Sequence, residues 1–524
     1  MSSSKASFPP GILGILLRQG EEAPDRVVVA VGSHKLTYAE LFRRGDRLAG
    51  ELHEIGIRRR DRVGIMTPNS VSWYLLLYAT VRLGAVPVPL DPQMGEFEIK
   101  HLFERIGLRA VLISPRYRAL RHGEILDRLR PHLPDLRRVI VDGDVPDDGF
   151  MISLGQLVAE GVAPPAPPPM PSLDREDSNI FFCTTGSTGN PKIVDLPCRI
   201  FDDNVAENAG RWGFREGDRL LLSMPLFHCA GFGWGLSCLS AGGSSYYGED
   251  FAPTSFLETI GREQASCLLL TPTVAKILLT HPRFGQVRLD SLRQVVFTGE
   301  YLADTLAQKF TDALKLHVVN ALGMTETFVF LDWDSERDAG TSANSLCPSG
   351  GVEVQVRNEK GAECQPNEEG IVHVRRSVMT GYFRLPDVTS ETIGADGWLS
   401  TGDLAIRDEV GRIRFVGRRK RVIKRGSNLV SPEEIEQFLR THPACAAVVV
   451  ESEPDPIMGE RIIAHVQPAE SKTVTSEELL TFCRGQISSY KIPDEFFFTK
   501  EVPTTVGKVN PTLLRRLRNE QRAG

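Results

Sequence analysis

Residues 181–192 combine an apolar stretch with residues suited to binding phosphate. Phe181 and the next two residues are apolar, the seven that follow are nearly all glycine, serine or threonine, and Pro191 and Lys192 close the segment. Glycines let several backbone N–H groups converge, hydroxyls add donors, and the lysine supplies a fixed positive charge. This combination suits a polyphosphate, although a flexible Ser/Gly loop has a similar composition.

Several other catalytic motifs do not occur in the sequence. Lys192 follows a proline and no Ser or Thr follows it, so the segment is not a Walker loop and kinase or motor ATPase chemistry is disfavoured. Neither HExxH nor GxSxG is found, and the glycines at 231, 233 and 235 do not match GxGxxG. Zinc protease, serine hydrolase and dinucleotide-binding functions are therefore poorly supported.

Composition sets the class of protein. The 524 residues are 41% hydrophobic and 24% charged, which indicates a globular chain. The net charge of −6 excludes a strongly basic nucleic-acid coat. Nine cysteines without a CxxC pair indicate reduced thiols in the cytoplasm rather than a disulfide or zinc framework. The apolar residues 11–17 are too few for a membrane span and predict an amphipathic helix to about Glu22.

The elements that must hold the loop alternate between strand and helix. Strands are predicted at 26–31, 61–66 and 85–90, and a helix at 70–83 that Gly84 ends. Thr37 and Glu40 have the spacing of a capping box at the start of another helix. This alternation predicts an α/β fold with a mostly parallel sheet.

The chain divides near residue 417. The proline-rich residues 164–171 predict an extended connector, and 346–416 predict a small β subdomain of short alternating strands. Six basic residues follow within positions 418–425, and a compact unit of about 100 residues mixing strands and helices completes the chain. We therefore predict two domains, 1–416 and 417–524.

Several motifs in a fixed order resemble the AMP-forming adenylating enzymes, which include acyl- and aryl-CoA synthetases, nonribosomal adenylation domains and beetle-type luciferases. The loop at 184–192 is similar to the family's Thr-Ser-Gly-Thr-Thr-Gly-x-Pro-Lys. Segments at 224–228, 323–326, 397–403, 417–426, 430–436, 490–493 and 505–508 match further family signatures. The resemblance covers nearly the whole chain, and it implies a large N-terminal AMP-binding domain followed by a small mobile α+β domain.

The resemblance implies that a carboxylate attacks the α-phosphate of ATP, and that the site must neutralise both anions. Glu326 resembles the Mg²⁺ ligand, with a helix N-terminal glutamate as the alternative, and Thr325 stands beside it. The nucleotide contacts implied are Thr184, Thr185, Gly186, Ser187, Thr188, Gly189, Lys192, Gly299, Glu300, Leu322, Gly323, Asp403 and Arg418.

Other residues resemble those that act through domain movement. Lys508 resembles the lysine that bridges the carboxylate and the α-phosphate, although a solvated lysine is the ordinary interpretation of this position. Lys420 resembles the hinge, and Lys424 and Gly426 resemble residues that serve the thiol-accepting geometry. Basic residues here also suit coenzyme A, which carries phosphates.

Two departures from the family pattern affect the site. Leu322 replaces the aromatic residue that usually stacks on adenine, and no arginine follows in Lys508-Val-Asn-Pro511. We expect apolar contact with adenine to survive at Leu322 and stacking to be lost.

The sequence indicates the substrate and the acceptor less directly than it indicates the family. A histidine is a poor counter-ion for an ammonium at neutral pH, so His228 disfavours an α-amino acid substrate. His228 is either a core histidine or a gate to the thiol tunnel. The predicted pocket favours an apolar acyl or aryl acid, with room left by the glycines at 231, 233 and 235; its candidate residues are Phe227, His228, Gly231, Phe232, Thr298 and Met324.

The predicted function is ATP-dependent formation of an acyl-adenylate, with pyrophosphate release, and transfer to coenzyme A. A carrier-protein phosphopantetheine, an amine or a small inorganic nucleophile is the alternative acceptor. A non-catalytic protein that keeps the fold is disfavoured because Lys508, Glu326 and Asp403 are retained.

Overall fold

The architecture is taken from a computed structural model of the chain. The structure describes residues 8–159, 165–184, 191–418, 422–426, 428–470, 472–499, 504–505, 508–509, 518–519 and 521–522. The predicted hinge residue Lys420 and loop residues Thr185, Gly186, Ser187, Thr188 and Gly189 lie outside these ranges.

The strands fall into several sheets and run along the whole chain. In chain order they are β1 (Val27–Val31), β2 (His34–Thr37), β3 (Arg62–Met66), β4 (Val86–Pro89), β5 (Ala110–Ile113), β6 (Arg138–Val141), β7 (Met151–Ser153), β8 (Ser178–Thr184), β9 (Lys192–Pro197), β10 (Arg219–Leu222), β11 (Ser244–Tyr247), β12 (Cys267–Leu270), β13 (Gln294–Thr298), β14 (His317–Met324), β15 (Phe328–Asp334), β16 (Cys347–Pro348), β17 (Glu353–Arg357), β18 (Glu369–Arg375), β19 (Gly381–Tyr382), β20 (Leu399–Arg407), β21 (Ile413–Arg418), β22 (Ile423–Arg425), β23 (Asn428–Val430), β24 (Cys445–Asp455), β25 (Gly459–Pro468), β26 (Glu495–Phe498), β27 (Thr504–Thr505) and β28 (Lys508–Val509).

Helices connect these strands and cover the sheets. They are α1 (Ile12–Glu22), α2 (Tyr38–Glu54), α3 (Val71–Arg82), α4 (Glu96–Ile106), α5 (His122–Leu129), α6 (Leu154–Val158), α7 (Cys198–Ile200), α8 (Cys229–Ser240), α9 (Pro253–Glu263), α10 (Pro272–Thr280), α11 (Asp304–Gln308), α12 (Pro386–Thr392), α13 (Pro432–Leu439) and α14 (Ser476–Cys483). We find no helix that could span a membrane in the described part of the chain.

Two large sheets form the body of the N-terminal unit. One has five parallel strands in the order β4-β3-β5-β6-β7, and the other has nine strands in the order β16-β15-β14-β13-β12-β10-β11-β1-β2. Helix α3 is buried from Ser72 to Val81 and packs against strands of both sheets. A helix that is apolar on every side suits this shared layer. The prediction of an α/β fold with parallel sheet is therefore confirmed.

Local signals in the sequence begin and end the helices as expected. Thr37 Oγ1 accepts a hydrogen bond from Glu40 N at 3.3 Å, and Glu40 Oε2 accepts one from Thr37 N at 2.9 Å. This capping box satisfies donors that the first turn of α2 leaves unpaired. Ser70 caps α3, and Gly84 follows it with φ of 67°, a left-handed conformation that favours glycine.

Two smaller sheets follow. Strands β17, β18, β20 and β21 form an antiparallel sheet, as predicted for 346–416. The C-terminal unit, defined here as the described residues from 422 onward, has the strand order β23-β22-β25-β24, with β26 beside β25. Helices α13 and α14 close its separate apolar core.

The two units touch along the start of α4. Glu96 N donates a hydrogen bond to the carbonyl of Gly485 at 3.0 Å. A Cβ placed on Gly95 would lie 2.2 Å from the carbonyl carbon of Gln486. The main chains therefore meet too closely for any side chain at position 95.

Buried charge reinforces this contact. Lys491 Nζ lies 2.6 Å from Glu98 Oε1 and 2.5 Å from Glu434 Oε1, and all three side chains are largely buried. Burial alone lowers the pKa of Lys491, but Glu434 and Glu98 together hold it well above its usual value. Phe97 packs edge-on against Phe438 with ring centroids 5.1 Å apart. The lysine thus joins one carboxylate from each unit.

Candidate functional site

Four neighbouring strands of the nine-stranded sheet end at the same edge. Strands β10, β12, β13 and β14 lie side by side and parallel, with Leu222 level with Leu269 and Thr298 level with Ala321. The carboxyl edge of a parallel sheet is where ligands of open α/β folds bind. The chain segments leaving these strands carry His228, Thr271, Gly299 and Glu326. Motifs separated by about 100 residues in sequence therefore meet at one edge.

The phosphate-binding loop predicted at 184–192 closes a hairpin. Strands β8 and β9 pair antiparallel, and their last pair is Thr184 with Lys192. Thr184 Oγ1 donates to the carbonyl of Lys192 at 3.5 Å. The six residues between Thr184 and Pro191 lie outside the described ranges, so the structure describes the base of the loop.

Glu326 lies in the tight turn between β14 and β15. Gly323 is required before it, because a Cβ there would lie 2.2 Å from the carbonyl oxygen of Phe328. The register of the pairing between β14 and β15 shifts between Leu322 and Gly323. Such irregularities commonly change the direction of side chains beside active sites. Glu326 is thus a buried turn residue, and the helix N-terminal alternative is wrong.

Tyr382 connects Glu326 with the base of the loop. Its hydroxyl donates to Glu326 Oε1 at 2.7 Å, and Lys192 Nζ lies 4.5 Å from the centre of its ring. Burial, together with the charge of Glu326, raises the pKa of Tyr382 well above its usual value, so the hydroxyl stays protonated. Sequence reasoning missed this residue, since a single tyrosine after a glycine carries no motif that distinguishes it from a core residue.

His228 begins helix α8 as its N-cap. Its Nδ1 accepts a hydrogen bond from Ala230 N at 3.2 Å, as an N-cap side chain does. Burial lowers the pKa of His228 to about 4, so the imidazole is neutral at pH 7. A neutral imidazole beside the site cannot balance a substrate ammonium.

The segment after β13 is held to its neighbours on both sides. Thr298 Oγ1 donates to the carbonyl of Ala321 at 3.0 Å. Glu300 Oε2 accepts from Thr273 N at 3.0 Å and from Thr273 Oγ1 at 2.7 Å, which ties this segment to the first turn of α10. Gly299 between them has φ of 84°.

The three glycines at the start of α8 do not leave the room expected from the sequence. A Cβ on Gly231 would lie 2.1 Å from the carbonyl oxygen of Pro225, and one on Gly233 would lie 2.3 Å from the ring of Phe328. For Gly235 the obstruction is the hydroxyl of Tyr247, at 2.4 Å. The missing side chains allow close packing of the helix, and the sequence expectation was wrong.

Phe232 is also a correction to the predicted pocket. It is fully buried, with its ring 5.5 Å from that of Trp73 and about equally near Phe182 and Phe201, at 6.1 and 6.2 Å. It therefore packs in the core and lines no open space. Phe227, Leu322, Met324 and Thr325 are half-buried at the carboxyl edge.

Two of the predicted nucleotide contacts, Asp403 and Arg418, lie on neighbouring strands. Asp403 on β20 pairs with Arg418 on β21, so the two residues are direct cross-strand neighbours. Asp403 is almost fully buried within a strand, and its N–H donates to Thr401 Oγ1 at 3.0 Å. Asp403 is thus a strand residue, although an aspartate in Thr-Gly-Asp is usually found in a turn.

The remaining candidates lie in the C-terminal unit. Lys424 N donates to Glu460 Oε2 at 2.6 Å, and its Nζ lies 5.8 Å from the ring centre of Phe415. Gly426 turns the chain between β22 and β23 with φ of 59°. Lys508 begins β28, where it pairs with Thr505. The predicted acceptor residues and the predicted catalytic lysine thus occupy two hairpins of this unit.

The donor chemistry at Glu326 fits a magnesium ion shared with substrate phosphates. Mg²⁺ prefers oxygen ligands and is commonly bound by one or two carboxylates together with phosphates. Within the part of the chain that the structure describes, no cluster of three or more His, Cys, Asp or Glu side chains could hold a metal. Glu326, buried and held by Tyr382, supplies one carboxylate of the preferred type.

The carboxyl edge of a parallel sheet, a hairpin whose loop matches the family's phosphate-binding motif in sequence, and a small C-terminal unit together fit the class of adenylating enzymes. Residues 16–383 match the AMP-binding enzyme family, and residues 434–508 match the AMP-binding enzyme C-terminal domain. The chain therefore belongs to the AMP-binding enzyme family.

Known relatives agree with this assignment. The chain is 31% identical over 534 residues to the mitochondrial medium-chain acyl-CoA ligase ACSF2 of Bos taurus, covering 94% of this chain and 85% of that one. It is 31% identical to a feruloyl-CoA synthase of an Amycolatopsis species, covering 95% and 97%. The amide bond synthetase McbA of Marinactinospora thermotolerans superposes with a TM-score of 0.83 at 25% identity, covering 96% and 99%. The predictions of the family, the fold and an acyl-CoA-ligase class of enzyme are confirmed.

Proposed function

We propose that this chain converts an apolar acyl or aryl carboxylic acid and ATP to an acyl-adenylate and pyrophosphate, and then transfers the acyl group to coenzyme A. The observation that carries this proposal is that Tyr382 joins the loop base at Lys192 to Glu326, at the sheet edge from which the segment of His228 also leaves. Two similar proteins, a medium-chain acyl-CoA ligase and a feruloyl-CoA synthase, use an apolar and an aryl acid respectively, which supports this substrate class.

In the first step, the carboxylate oxygen of the acid attacks the α-phosphorus of ATP and pyrophosphate leaves. Residues 184–192 hold the phosphates, with Lys192 offsetting their charge. Asp403 and Arg418 hold the ribose, and Thr325 borders the reacting groups. Lys508 contacts the carboxylate and the α-phosphate as negative charge develops between them.

Glu326 holds Mg²⁺ in this proposal, and the metal, when bound, offsets charge on the phosphates. The buried carboxylate accepts a hydrogen bond from the hydroxyl of Tyr382. A neutral His228 cannot act as the charge partner of a substrate ammonium, which supports an acid without an α-amino group.

In the second step, the thiolate of coenzyme A attacks the acyl carbonyl and AMP leaves. The proposed domains are 1–416 and 417–524, and the second rotates near Lys420 so that Lys424 and Gly426 replace Lys508 at the substrate. The nine cysteines are unpaired, which supports a reducing compartment such as the cytoplasm.

An amine is the second candidate acceptor. The likeness to the amide bond synthetase McbA supports it, because that protein forms an amide where a CoA ligase forms a thioester. The two candidates share the adenylation step and differ only in the nucleophile.

The test is a panel of carboxylic acids scored by pyrophosphate release, with and without coenzyme A. We expect release with apolar acyl or aryl acids, and faster turnover with coenzyme A. Lys508→Ala should slow adenylation by ~2.7–4 kcal/mol of barrier, while transfer from a supplied acyl-adenylate is far less affected. ADP formation, or no adenylate from any acid, contradicts the proposal, and turnover that responds to amines but not to coenzyme A favours the second candidate.

A further inference from the structure

Tyr382 touches a positive and a negative group of the candidate site at the same time. Its ring lies 4.5 Å from Lys192 Nζ, a distance at which an ammonium is attracted to the face of an aromatic ring. Its hydroxyl lies 2.7 Å from Glu326 Oε1. The tyrosine is 6% exposed, so water hardly competes for either contact.

The main chain around Tyr382 is fixed to the same two places. Met379 N donates to the carbonyl of Glu326 at 2.7 Å, and Phe383 N donates to the carbonyl of Ile193 at 2.8 Å. Strand β19 pairs with β9, placing Tyr382 level with Val194. The segment therefore spans from the turn of Glu326 to the strand that leaves the phosphate-binding loop.

We propose that Tyr382 is a positioning residue that fixes the carboxylate of Glu326 and the ammonium of Lys192 relative to each other for binding of ATP with Mg²⁺. A carboxylate held through one oxygen keeps its second oxygen in one orientation. A charged lysine held on a ring face loses less freedom when a phosphate arrives. This inference rests on the proposed function, in which Glu326 holds Mg²⁺ and Lys192 binds phosphate.

The hydroxyl and the ring of Tyr382 have separable roles. Tyr382→Phe removes the bond to Glu326 and keeps the ring beside Lys192, whereas Tyr382→Leu removes both contacts. The first variant should weaken the gain in ATP affinity that Mg²⁺ provides and leave ATP affinity in EDTA unchanged. The second should weaken ATP binding in both conditions.

The experiment is calorimetric titration of each variant with ATP, in EDTA and in saturating Mg²⁺. We expect Tyr382→Phe to lose about ten-fold of the Mg²⁺-dependent gain, the scale for removing an outer-shell partner of a metal ligand. Tyr78→Phe is the matched control, because Tyr78 also donates to a carboxylate, Asp46 Oδ1 at 3.1 Å, outside the site. It should match Tyr382→Phe in loss of thermal stability and match the wild type in ATP binding.

Two further variants separate the metal-binding role of Glu326 from the positioning role of Tyr382. They are Glu326→Gln and the double variant Glu326→Gln with Tyr382→Phe. If Tyr382 acts through Glu326, the double variant loses no more of the Mg²⁺-dependent gain than Glu326→Gln alone. A wild-type Mg²⁺ response in Tyr382→Phe overturns the positioning role while Glu326→Gln still tests the metal role. A wild-type Mg²⁺ response in Glu326→Gln overturns the proposed metal site itself.

Discussion

At the scale of single residues, the environment of a side chain decides what it can do. His228 illustrates this, because a histidine with an ordinary pKa is partly charged near neutrality. Burial at the start of α8 keeps its pKa at about 4, and its Nδ1 serves as a hydrogen-bond acceptor for the helix. Both facts require the neutral imidazole.

The shifted pKa of His228 predicts a pH dependence of stability. Because its folded-state pKa is lower than the ordinary value of 6.5, the unfolded chain binds the proton more tightly. This contribution to stability is present above pH 6.5 and is lost as the pH falls toward 4. His228→Asn keeps a side-chain cap and removes the titration.

Urea unfolding of the wild type and of His228→Asn at pH 7 and pH 4.5 measures this effect. The wild type should lose about 2 kcal/mol more than the variant between the two pH values. All other titrating groups are shared and cancel in the comparison. Equal losses in the two proteins would show that His228 is protonated in the folded chain at pH 4.5 without cost.

At the scale of elements, turns place the candidate residues. The hairpin β14–β15 puts Glu326 at its tip, the hairpin β8–β9 forms the base of the predicted phosphate-binding loop, and the hairpin β22–β23 turns at Gly426. Gly426 has φ of 59°, and a Cβ there would lie 3.2 Å from Met458 Cε. Main-chain conformation therefore favours glycine at this position whatever its part in the reaction.

Gly426→Ala should destabilise the β22–β23 hairpin by ~1–2 kcal/mol, the cost of a left-handed conformation for an L-residue. Gly417→Ala is the matched control, because Gly417 lacks a positive φ and has open space where its Cβ would lie. Thermal unfolding of both variants gives the comparison. An unfolding temperature of Gly426→Ala equal to that of Gly417→Ala contradicts the strain argument.

At the scale of the whole molecule, the contact between the two units is the feature that the proposed domain rotation would have to break. Glu96 N bonds to Gly485, Lys491 joins Glu98 to Glu434, and Gly95 meets the main chain of Gln486. When the units separate, Glu98 loses its buried partner Lys491. This loss costs free energy unless water takes the place of the lysine. The contact thus stabilises one arrangement of the two units over others.

Gly95→Ala should weaken this arrangement, because its Cβ would lie 2.2 Å from a main-chain atom that cannot move alone. If the arrangement serves one half-reaction, that half-reaction should slow and the other should not. Quench assays of adenylate formation and of transfer from a supplied adenylate measure the two separately.

Gly123→Ala is the control for Gly95→Ala. Gly123 lies in α5, and a Cβ there makes only ordinary contacts, the nearest at 3.8 Å with Met151. It should slow neither half-reaction. Equal slowing of both half-reactions by Gly95→Ala would mean that the contact is structural and that rotation near Lys420, which lies outside the described residues, does not depend on it.

Local sequence signals were sufficient to predict several helix ends, and the order of the motifs was sufficient to predict the family. Thr37 with Glu40, Ser70 and Gly84 act through hydrogen bonds and backbone angles within a few residues, so local sequence was sufficient. The motifs could also be recognised from short stretches of sequence, and the match to the family confirmed the class of enzyme.

Which distant residues pack against one another became clear from the three-dimensional fold. Tyr382 lies 56 positions from Glu326 in the sequence. The space beside the three glycines of α8 is occupied by Pro225, Phe328 and Tyr247. Such contacts depend on sheet order and on close packing between distant segments, which residue type and local spacing do not encode. For the same reason Phe232 was expected in the pocket and lies in the core.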